Sequence, residues 1–198
     1  MSIKNIKEEK TLVLVKPDGV KRGLIGEIIQ RLEQRGLKVI AMKMVWPTKE
    51  IAMKHLPHTD EWVMRLGEKG LTTFDEYKLD PMEYMGTKDK KDIGEKVKVG
   101  LIDYLTSGPV VAIVVQGIHA INMVRKIAGH TLPIKADMGT VRGDYSVDSP
   151  IIANVENRAI HNIMHASETP AEADNEINLW FDKSEIHEYK RAEEDLMF

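Results

Sequence analysis

The stretch Val110–Val115 is a run of six consecutive apolar residues that directly follows Ser107-Gly108-Pro109. A short, continuous apolar run bounded by turn residues is typical of a strand in the centre of a sheet. Thr11–Val15 has the same character and ends at Lys16-Pro17-Asp18-Gly19, which we interpret as a turn. These two segments predict buried strands, and therefore a fold organised around a sheet.

Segments with helical periodicity separate the strand candidates. Apolar residues recur at helical spacing from Leu24 to Leu32, from Val97 to Leu105 and from Ala120 to Ala128. Thr48 is a candidate N-cap for a short helix, and Thr169-Pro170-Ala171-Glu172 combines a hydroxyl cap, an early proline and a glutamate three residues after the cap. We therefore expect helices between successive strands.

Two further strands are predicted, at Leu37–Trp46 and at Ile160–His165, and Asp137–Asp144 is interpreted as a glycine-containing loop. The order of elements gives two strand–helix–strand units. We predict an α+β protein with a ferredoxin-like βαββαβ sandwich and a four-stranded antiparallel sheet, plus an insertion of helices and loops.

Residues 59–96 differ in composition from the rest of the chain. They are rich in charge and glycine, which is typical of a connection, but they also contain the aromatic residues Trp62, Phe74, Tyr77 and Tyr84. Aromatic residues are uncommon in disordered linkers. We interpret this segment as a partly structured insertion.

Composition and charge exclude several classes of protein. The chain contains no cysteine, so disulfides, thiolate nucleophiles and cysteine-ligated zinc are excluded. Residues 182–198 hold six acids and three bases and so account for the whole net charge of −3. The neutral remainder argues against a ferredoxin-like nucleic-acid binder, which would be basic. With no apolar stretch in Met1–Lys10 and no run of membrane-spanning length, we expect a soluble, cytoplasmic protein without a membrane partner.

Because cysteine is absent, histidine is the strongest remaining candidate for a nucleophile or a metal ligand. The chain contains seven histidines. His161 and His165 are four residues apart, which on a helix would place both imidazoles on one face. The zinc-protease pattern needs a glutamate after the first histidine, however, and Asn162 occupies that position in a segment predicted as strand. We therefore expect no zinc site, and a surface or core role for the histidines other than His165: His55, His58, His119, His130, His161 and His187.

Three side chains suited to binding phosphate lie between the third and the last predicted strands. Arg125 and Arg142 offer guanidinium forks, and Thr131 offers a hydroxyl. Lys16-Pro17-Asp18-Gly19 is not a P-loop, because that motif requires two glycines five residues apart followed by Lys and Ser or Thr. Each arginine alone is more typical of a surface ion pair, so the interpretation depends on the three occurring together.

Four segments together are similar to nucleoside diphosphate kinase, and the similarity runs from Lys10 to Phe181 with two interruptions. They are Val15–Val20 (Val-Lys-Pro-Asp-Gly-Val), Gly139–Asp144 (Gly-Thr-Val-Arg-Gly-Asp), Asn162–Ser167 (Asn-Ile-Met-His-Ala-Ser) and Glu176–Phe181 (Glu-Ile-Asn-Leu-Trp-Phe). The resemblance implies a ferredoxin-like fold and a ping-pong reaction. In that reaction a histidine takes the γ-phosphoryl group from a nucleoside triphosphate such as ATP and passes it to a diphosphate such as GDP.

The resemblance also assigns a role to each matching residue. His165 matches the nucleophile, Glu176 the carboxylate that orients its imidazole, and Ser167 a supporting hydroxyl. Lys16 matches the lysine that reaches phosphate and ribose. The other matches bind nucleotide: Arg125, Thr131 and Arg142 the phosphates, and Asn162 the ribose hydroxyl. The family uses Mg²⁺ that is bound through the nucleotide phosphates rather than by a protein metal site, and its members form tetramers or hexamers.

This chain departs from the family pattern at several positions. Leu56 replaces an active-site tyrosine, and Val97 falls near the phenylalanine that stacks on the base. Leu132 and Glu168 replace an asparagine and an aspartate. These departures leave open an alternative, a catalytically weak regulatory relative that binds nucleotide, and an aromatic residue of the 59–96 insertion is a candidate replacement for the base platform.

The resemblance divides the 198 residues into a core domain and additions to it. We expect one nucleoside diphosphate kinase domain over residues 1–198, with its core at about 10–181. Its additions are the insertion at about 59–96, a second insertion at about 146–157, and the acidic tail 182–198. Loops of this length commonly have functions of their own.

Overall fold

A four-stranded antiparallel sheet forms the centre of this computed structural model, which describes residues 8–57, 59–192 and 194. The strands are β1 (Glu9–Val15), β2 (Lys38–Val45), β3 (Val110–Gly117) and β4 (Met164–Ala166), in the spatial order β2-β3-β1-β4. All neighbouring pairs are antiparallel. The two apolar runs in the sequence are the two central strands, and the predicted ferredoxin-like α+β fold is confirmed.

Helices cover both faces of this sheet. In chain order they are α1 (Pro17–Lys21), α2 (Ile25–Gln34), α3 (Lys49–His55), α4 (Asp60–Glu76), α5 (Pro81–Met85), α6 (Lys90–Thr106), α7 (Ala120–Ala128), α8 (Val141–Tyr145), α9 (Pro150–Val155) and α10 (Pro170–Trp180). Within the described ranges, no helix is both long and apolar enough to cross a membrane.

Strand β1 shows why its sequence is apolar without alternation. Val13 and Val15 belong to a core cluster that includes residues of α2 and α7, whereas Leu12 and Leu14 belong to a second cluster that includes Trp180 of α10. Because successive strand residues point to opposite faces, a strand covered on both sides must be apolar at every position.

The predicted helix caps are confirmed. The hydroxyl of Thr48 accepts a hydrogen bond from the backbone N–H of Ile51 at 3.3 Å, and that of Thr169 accepts one from Glu172 at 3.2 Å. These bonds satisfy donors that the first turn of a helix leaves unpaired. They fix the start of α3 and of α10.

Three local predictions are wrong. Lys16-Pro17-Asp18-Gly19 is not a simple turn, because Pro17 begins α1, and the Asp137–Asp144 loop contains the start of α8. Both errors arise because proline and glycine are tolerated in short helices near their ends. The last strand covers only residues 164–166 instead of 160–165, because Ile163 has a φ of +70°, which no strand residue adopts.

The segment 59–96 is mostly helical. It contains α4, α5 and the first part of α6, and its own small core includes Phe74, Met85 and Ile93. Helix α9, which lies in the predicted second insertion, adds Ile151 to the same core. The two segments therefore pack together although 49 residues, 97–145, separate them in the sequence.

The described part of the acidic tail contacts β2 from Lys38 to Lys43. The backbone N–H of His187 donates to the carbonyl of Ile40 at 2.9 Å, and the carboxylate of Glu185 lies 2.7 Å from Nζ of Lys43. Glu194 pairs with Lys38 at 2.9 Å. Two further acids of the predicted tail, at positions 193 and 195, lie outside the described residues.

Candidate active site

His165 and Glu176 form the centre of the site. Nε2 of His165 lies 2.9 Å from Oε2 and 2.8 Å from Oε1 of Glu176. The carboxylate is buried, with 7% of its side chain exposed, whereas the imidazole is 20% exposed and so reaches the surface. The contact occupies one ring nitrogen with an acceptor, which leaves Nδ1 with a free lone pair in the neutral ring.

Two neighbouring elements hold this pair in place. His165 lies on β4 opposite Leu14 of β1, and Glu176 projects from the middle of α10. The Ser167 hydroxyl donates to Oε2 of Glu176 at 2.6 Å and accepts from the backbone N–H of Leu12 at 3.3 Å. The carboxylate is therefore anchored to the sheet as well as to its own helix.

A second part of the site contains Lys16 and Asn162. Nζ of Lys16 donates to Oδ1 of Asn162 at 2.7 Å, and the asparagine amide donates to the backbone carbonyl of Thr131 at 2.9 Å. The structure thus joins three predicted residues that are up to 146 positions apart in the sequence. Thr131 enters this network through its backbone rather than through the hydroxyl on which the sequence analysis relied.

The two predicted arginines differ in environment. Arg142 is buried and donates to the carbonyls of Asn162, Gly129 and Met164, at 3.2, 2.7 and 2.7 Å. These bonds use three of the five N–H groups of its guanidinium. Arg125 is 44% exposed and pairs with Glu168 at 3.1 Å. Arg142 therefore also organises the backbone around β4, while Arg125 faces the surface.

The electrostatics keep His165 neutral. Burial lowers the pKa of its imidazole to about 3, and the positive charges of Lys16, Arg142 and Arg125 act in the same direction. Burial and the charge of Arg142 also lower the pKa of Lys16, to about 7. Burial raises the pKa of Glu176. A neutral imidazole has the lone pair that a nucleophile needs, and the neighbouring cationic side chains would attract an anionic substrate.

His55 belongs to this cluster, although the sequence analysis gave it only a generic surface or core role. Its side chain is 5% exposed, Nδ1 lies 3.4 Å from Oε1 of Glu176, and its ring meets that of His165 edge-on at 4.6 Å between centroids. The indole N–H of Trp180 donates to Nδ1 at 3.3 Å. His55 directly precedes the divergent Leu56 in the sequence, but nothing in the sequence analysis assigned it to the site.

The histidine pair His161 and His165 does not form a metal site. His161 packs its ring on Tyr104, at 5.0 Å between centroids, and the segment between the two histidines is not helical. The group of ligand atoms within 4.8 Å of one another is instead His55, His165 and Glu176. His58 lies outside the described residues.

The same donor set bears on the magnesium expected from the resemblance. Mg²⁺ prefers six oxygen ligands and keeps several waters, whereas this cluster offers two imidazoles and one carboxylate that already contacts both rings. The cationic side chains suit phosphate oxygens instead. The residues therefore fit a magnesium ion that arrives with nucleotide phosphates, not one held by the protein alone.

The insertion aromatics have different environments. Phe74 is completely buried, so the prediction that it replaces the base platform is wrong for this residue. Tyr84 stacks on Phe74, at 6.1 Å between ring centroids, and with Val97 packs against the small core of the insertion. For Phe74 and Tyr84 the structure supports the alternative, that they form this core. Tyr77 is exposed and Trp62 half-buried, so for them the base platform stays a prediction.

Fold and site together define a ferredoxin-like α+β protein with a histidine–carboxylate pair surrounded by cationic side chains. A sequence model described as "Nucleoside diphosphate kinase" matches residues 9–64 and 87–186. The chain belongs to the nucleoside diphosphate kinase family, and it is an enzyme of this phosphotransferase class. The unmatched residues 65–86 fall inside the stretch 59–96, and the second match runs through 146–157.

Individual proteins that are similar to this chain are also nucleoside diphosphate kinases. A nucleoside diphosphate kinase from Pyrobaculum aerophilum is 46% identical over 180 residues, which cover 91% of this chain and 98% of that protein. A crystal structure of an NDP kinase from the same organism superposes with a TM-score of 0.87 at 44% identity, covering 91% of this chain and 100% of that one. A nucleoside-diphosphate kinase from Borrelia burgdorferi, described as a transition state mimic with bound vanadate and ADP, gives a TM-score of 0.78 at 37% identity. It covers 94% of this chain and 95% of that one.

Proposed function

We propose that this enzyme transfers the γ-phosphoryl group of a nucleoside triphosphate to a nucleoside diphosphate by a ping-pong mechanism, through a phosphohistidine at His165. The observation that carries the proposal is the contact between Nε2 of His165 and Glu176, at 2.8–2.9 Å, beside the three cations Lys16, Arg125 and Arg142. It leaves one nucleophilic nitrogen at a partly exposed position.

In the first half-reaction the lone pair on Nδ1 of His165 attacks the γ-phosphorus. The N–P bond forms while the bond from phosphorus to the β,γ-bridging oxygen breaks, and the diphosphate leaves with that electron pair. In the second half-reaction a terminal oxygen of another nucleoside diphosphate attacks the phosphorus, and the imidazole regains its electron pair. The proton on Nε2 stays in place throughout, so neither half-reaction requires a general base.

Glu176 makes this route possible by fixing the tautomer. As a carboxylate it accepts a hydrogen bond from the N–H at Nε2. Its charge also stabilises the positive ring that forms when Nδ1 is phosphorylated. The 2.6 Å hydrogen bond from Ser167 holds the carboxylate in this orientation. We assign to Glu176 and Ser167 the positioning of the nucleophile.

The cations provide binding and electrostatic stabilisation. Charge builds up on the equatorial oxygens of a transferring phosphoryl group, so preorganised donors lower the barrier. We assign this role to Lys16, Arg125 and Arg142, with Thr131 as a further phosphate ligand. The 2.7 Å contact between Lys16 and Asn162 would place a ribose hydroxyl at Asn162 beside the phosphate chain.

We propose Mg²⁺ as the metal cofactor, held by the phosphates of the bound nucleotide and by water. When bound it would neutralise phosphate charge and orient the chain of phosphates. The residues that would face the metal–nucleotide complex are Lys16, Arg125 and Arg142, whose charged donors suit phosphate oxygens.

Broad base specificity and a homo-oligomer complete the proposal. Contacts to ribose and phosphate ignore base identity, so a site built on them accepts purines and pyrimidines alike. A homo-oligomer, tetramer or hexamer, is supported by three exposed apolar side chains at the end of β2 and just after it: Met42, Met44 and Trp46, which are 54%, 59% and 65% exposed. We also retain the domain limits, with the core at 10–181 and additions at 59–96, 146–157 and 182–198.

Turnover separates this function from the catalytically weak alternative raised by Leu56 and Val97. We expect wild-type protein to transfer phosphate from ATP to GDP in a steady-state assay with magnesium. Nucleotide binding without turnover would instead favour the regulatory alternative. His165→Ala is the control, and any transfer that the wild-type protein shows must be absent from it.

A further inference from the structure

Ile163 has a backbone conformation that its side chain disfavours. Its φ is +70°, in the left-handed region, which β-branched residues rarely adopt. It is also completely buried, and it separates Asn162 from the short strand that carries His165. Such a conformation persists only where its surroundings enforce it, and conformations of this kind are concentrated at functional sites.

Asp18 supplies the enforcing contact. Its Oδ2 accepts a hydrogen bond from the backbone N–H of Ile163 at 3.1 Å, and its Oδ1 accepts one from the Tyr104 hydroxyl at 2.6 Å. The carboxylate thus bridges the buried end of α6 and the strained residue. Burial and the charge of Asp18 raise the pKa of Tyr104, so the phenol remains a donor over the working pH range.

The other side of Ile163 is held as well. Its carbonyl accepts a hydrogen bond from the backbone N–H of Lys16 at 2.8 Å, and a Cβ added at Gly19 would lie 3.0 Å from that carbonyl oxygen. Nζ of Lys16 lies 5.4 Å from the centre of the Tyr104 ring. Two residues at the start of α1 therefore hydrogen-bond to the backbone of Ile163, Asp18 to its N–H and Lys16 to its C=O.

We infer that Asp18 is a positioning residue for phosphoryl transfer, which acts with Tyr104 to hold Ile163 in its left-handed conformation. This conformation reverses the chain between Asn162, which faces Lys16, and His165, which faces Glu176. Without the bridge, Ile163 relaxes toward an ordinary conformation and the two functional residues lose their relative orientation. The inference rests on the proposed role of His165.

The chemistry of the bridge dictates the choice of variants. Asp18→Ala removes both hydrogen bonds, whereas Asp18→Asn keeps them, because the amide oxygen accepts from Ile163 and the amide N–H donates to the Tyr104 oxygen. Tyr104→Phe removes one bond and leaves the ring in place. Asp103→Ala is the matched control, since Asp103 lies next to Tyr104 but is exposed and pairs only with Lys49, at 3.5 Å.

The experiment is rapid-quench labelling of His165 by γ-labelled ATP with magnesium, which records both the rate and the final labelled fraction. We expect Asp18→Ala to slow labelling about 100-fold, the loss typical of a misplaced reacting group, at an unchanged final fraction. Asp18→Asn should stay within about fivefold of wild type, and Tyr104→Phe should fall about tenfold. Asp103→Ala should label at the wild-type rate.

The rate and the final fraction separate positioning from folding. Three results would each overturn the inference. The first is a wild-type labelling rate in Asp18→Ala, and the second is equal slowing in Asp18→Asn and Asp18→Ala. The third is a reduced labelled fraction of Asp18→Ala at an unchanged rate. If Asp18→Ala does not fold, slow labelling of Tyr104→Phe at full extent supports the inference, and wild-type labelling of that variant overturns it. Absence of label on wild-type protein would instead refute the proposed function itself.

Discussion

Glu176 meets His165 at Nε2 and not at Nδ1, with the carboxylate oxygens 2.8 and 2.9 Å from that nitrogen. This choice of nitrogen decides which ring atom can react. An ionised carboxylate accepts hydrogen bonds but cannot donate one. It therefore selects the imidazole tautomer that carries its proton on Nε2. In the proposed mechanism the reactive lone pair is then on Nδ1, in a side chain that is 20% exposed.

Glu176→Gln tests this tautomer control. A glutamine side chain can present its N–H to Nε2, which would move the ring proton to Nδ1 and block the nucleophile. We expect the rate of phosphohistidine formation to fall by about 100-fold or more, since a catalytic histidine held in the wrong tautomer loses up to about 10⁴-fold in rate. Asp174→Asn, an exposed change on the same helix α10, should leave the rate unchanged. Equal rates in Glu176→Gln and wild type would contradict tautomer control.

Acid should destabilise the fold through its buried imidazoles. Burial lowers the folded-state pKa of His55 and of His165 to about 3, whereas the value in the unfolded chain is about 6.5. The unfolded state therefore binds more protons below pH 6.5, and stability is present above that pH and lost as pH falls toward the folded-state pKa. The free energy of unfolding should drop by up to about 1.4 kcal/mol per pH unit for each histidine.

Urea unfolding at pH 7.5, 6 and 5 measures this slope. His55→Gln should flatten it by the contribution of one histidine, whereas His187→Gln, an exposed change in the tail, should keep the wild-type slope. Parallel slopes in all three proteins would show that His55 is not held neutral.

Nucleotide affinity should weaken above neutral pH because of Lys16. Its pKa is lowered to about 7, so the ammonium loses its charge as pH rises through that value. Since only the charged form attracts phosphate strongly, we expect KM for the nucleotide to rise above pH 7, by up to about tenfold per pH unit. Bound phosphates raise the pKa of Lys16 in the enzyme–nucleotide complex. The rise in KM should end at the pH that equals this raised pKa.

The matched variants are Lys16→Arg and Lys54→Arg. An arginine stays charged at every working pH, so Lys16→Arg should make KM independent of pH between 7 and 9. Lys54, in a surface ion pair with Glu50, serves as the control, and Lys54→Arg should keep the wild-type profile. A wild-type KM that is flat above pH 7 would contradict a lowered Lys16 pKa.

The insertion should depend on the close approach of α4 and α6. A Cβ at Gly67 would lie 1.7 Å from the carbonyl oxygen of Lys90, so Gly67→Ala must push the two helices apart. Although alanine favours helices, we expect a net loss of about 1–3 kcal/mol in the free energy of unfolding, because overpacking outweighs propensity. Gly26→Ala, also helical but with nothing within 4 Å, should instead stabilise by up to about 1 kcal/mol. Equal stability of the two variants would contradict this packing.

The sequence predicted the parts of the fold that depend on local pattern. Val110–Val115 and Thr11–Val15 could be recognised as central strands because burial on both faces requires an apolar residue at every position. Thr48 and Thr169 could be recognised as caps because the capping bond is local. The positive φ of Ile163 could not be predicted, since the side chain that bonds to its backbone N–H, Asp18, is 145 residues away in the sequence.

The site was predicted through resemblance more than through pattern. The structure places His165 against Glu176 and Lys16 against Asn162. Their roles stay proposals that the experiments above test. His55 had no such signal, because its contact with Glu176 arises only when α3 packs beside α10. The burial of Phe74, one of the four aromatic candidates for the base platform, could not be predicted because composition does not reveal which aromatic residues are buried.

The most direct test of the central claim is the phosphoenzyme itself. Purified protein is incubated with γ-labelled ATP and magnesium, separated from nucleotide, and then offered unlabelled GDP. We predict one alkali-stable, acid-labile label per chain, on Nδ1 of His165, absent in His165→Ala and transferred quantitatively to GDP. A wild-type protein that remains unlabelled, or a label that persists in His165→Ala, would contradict the account.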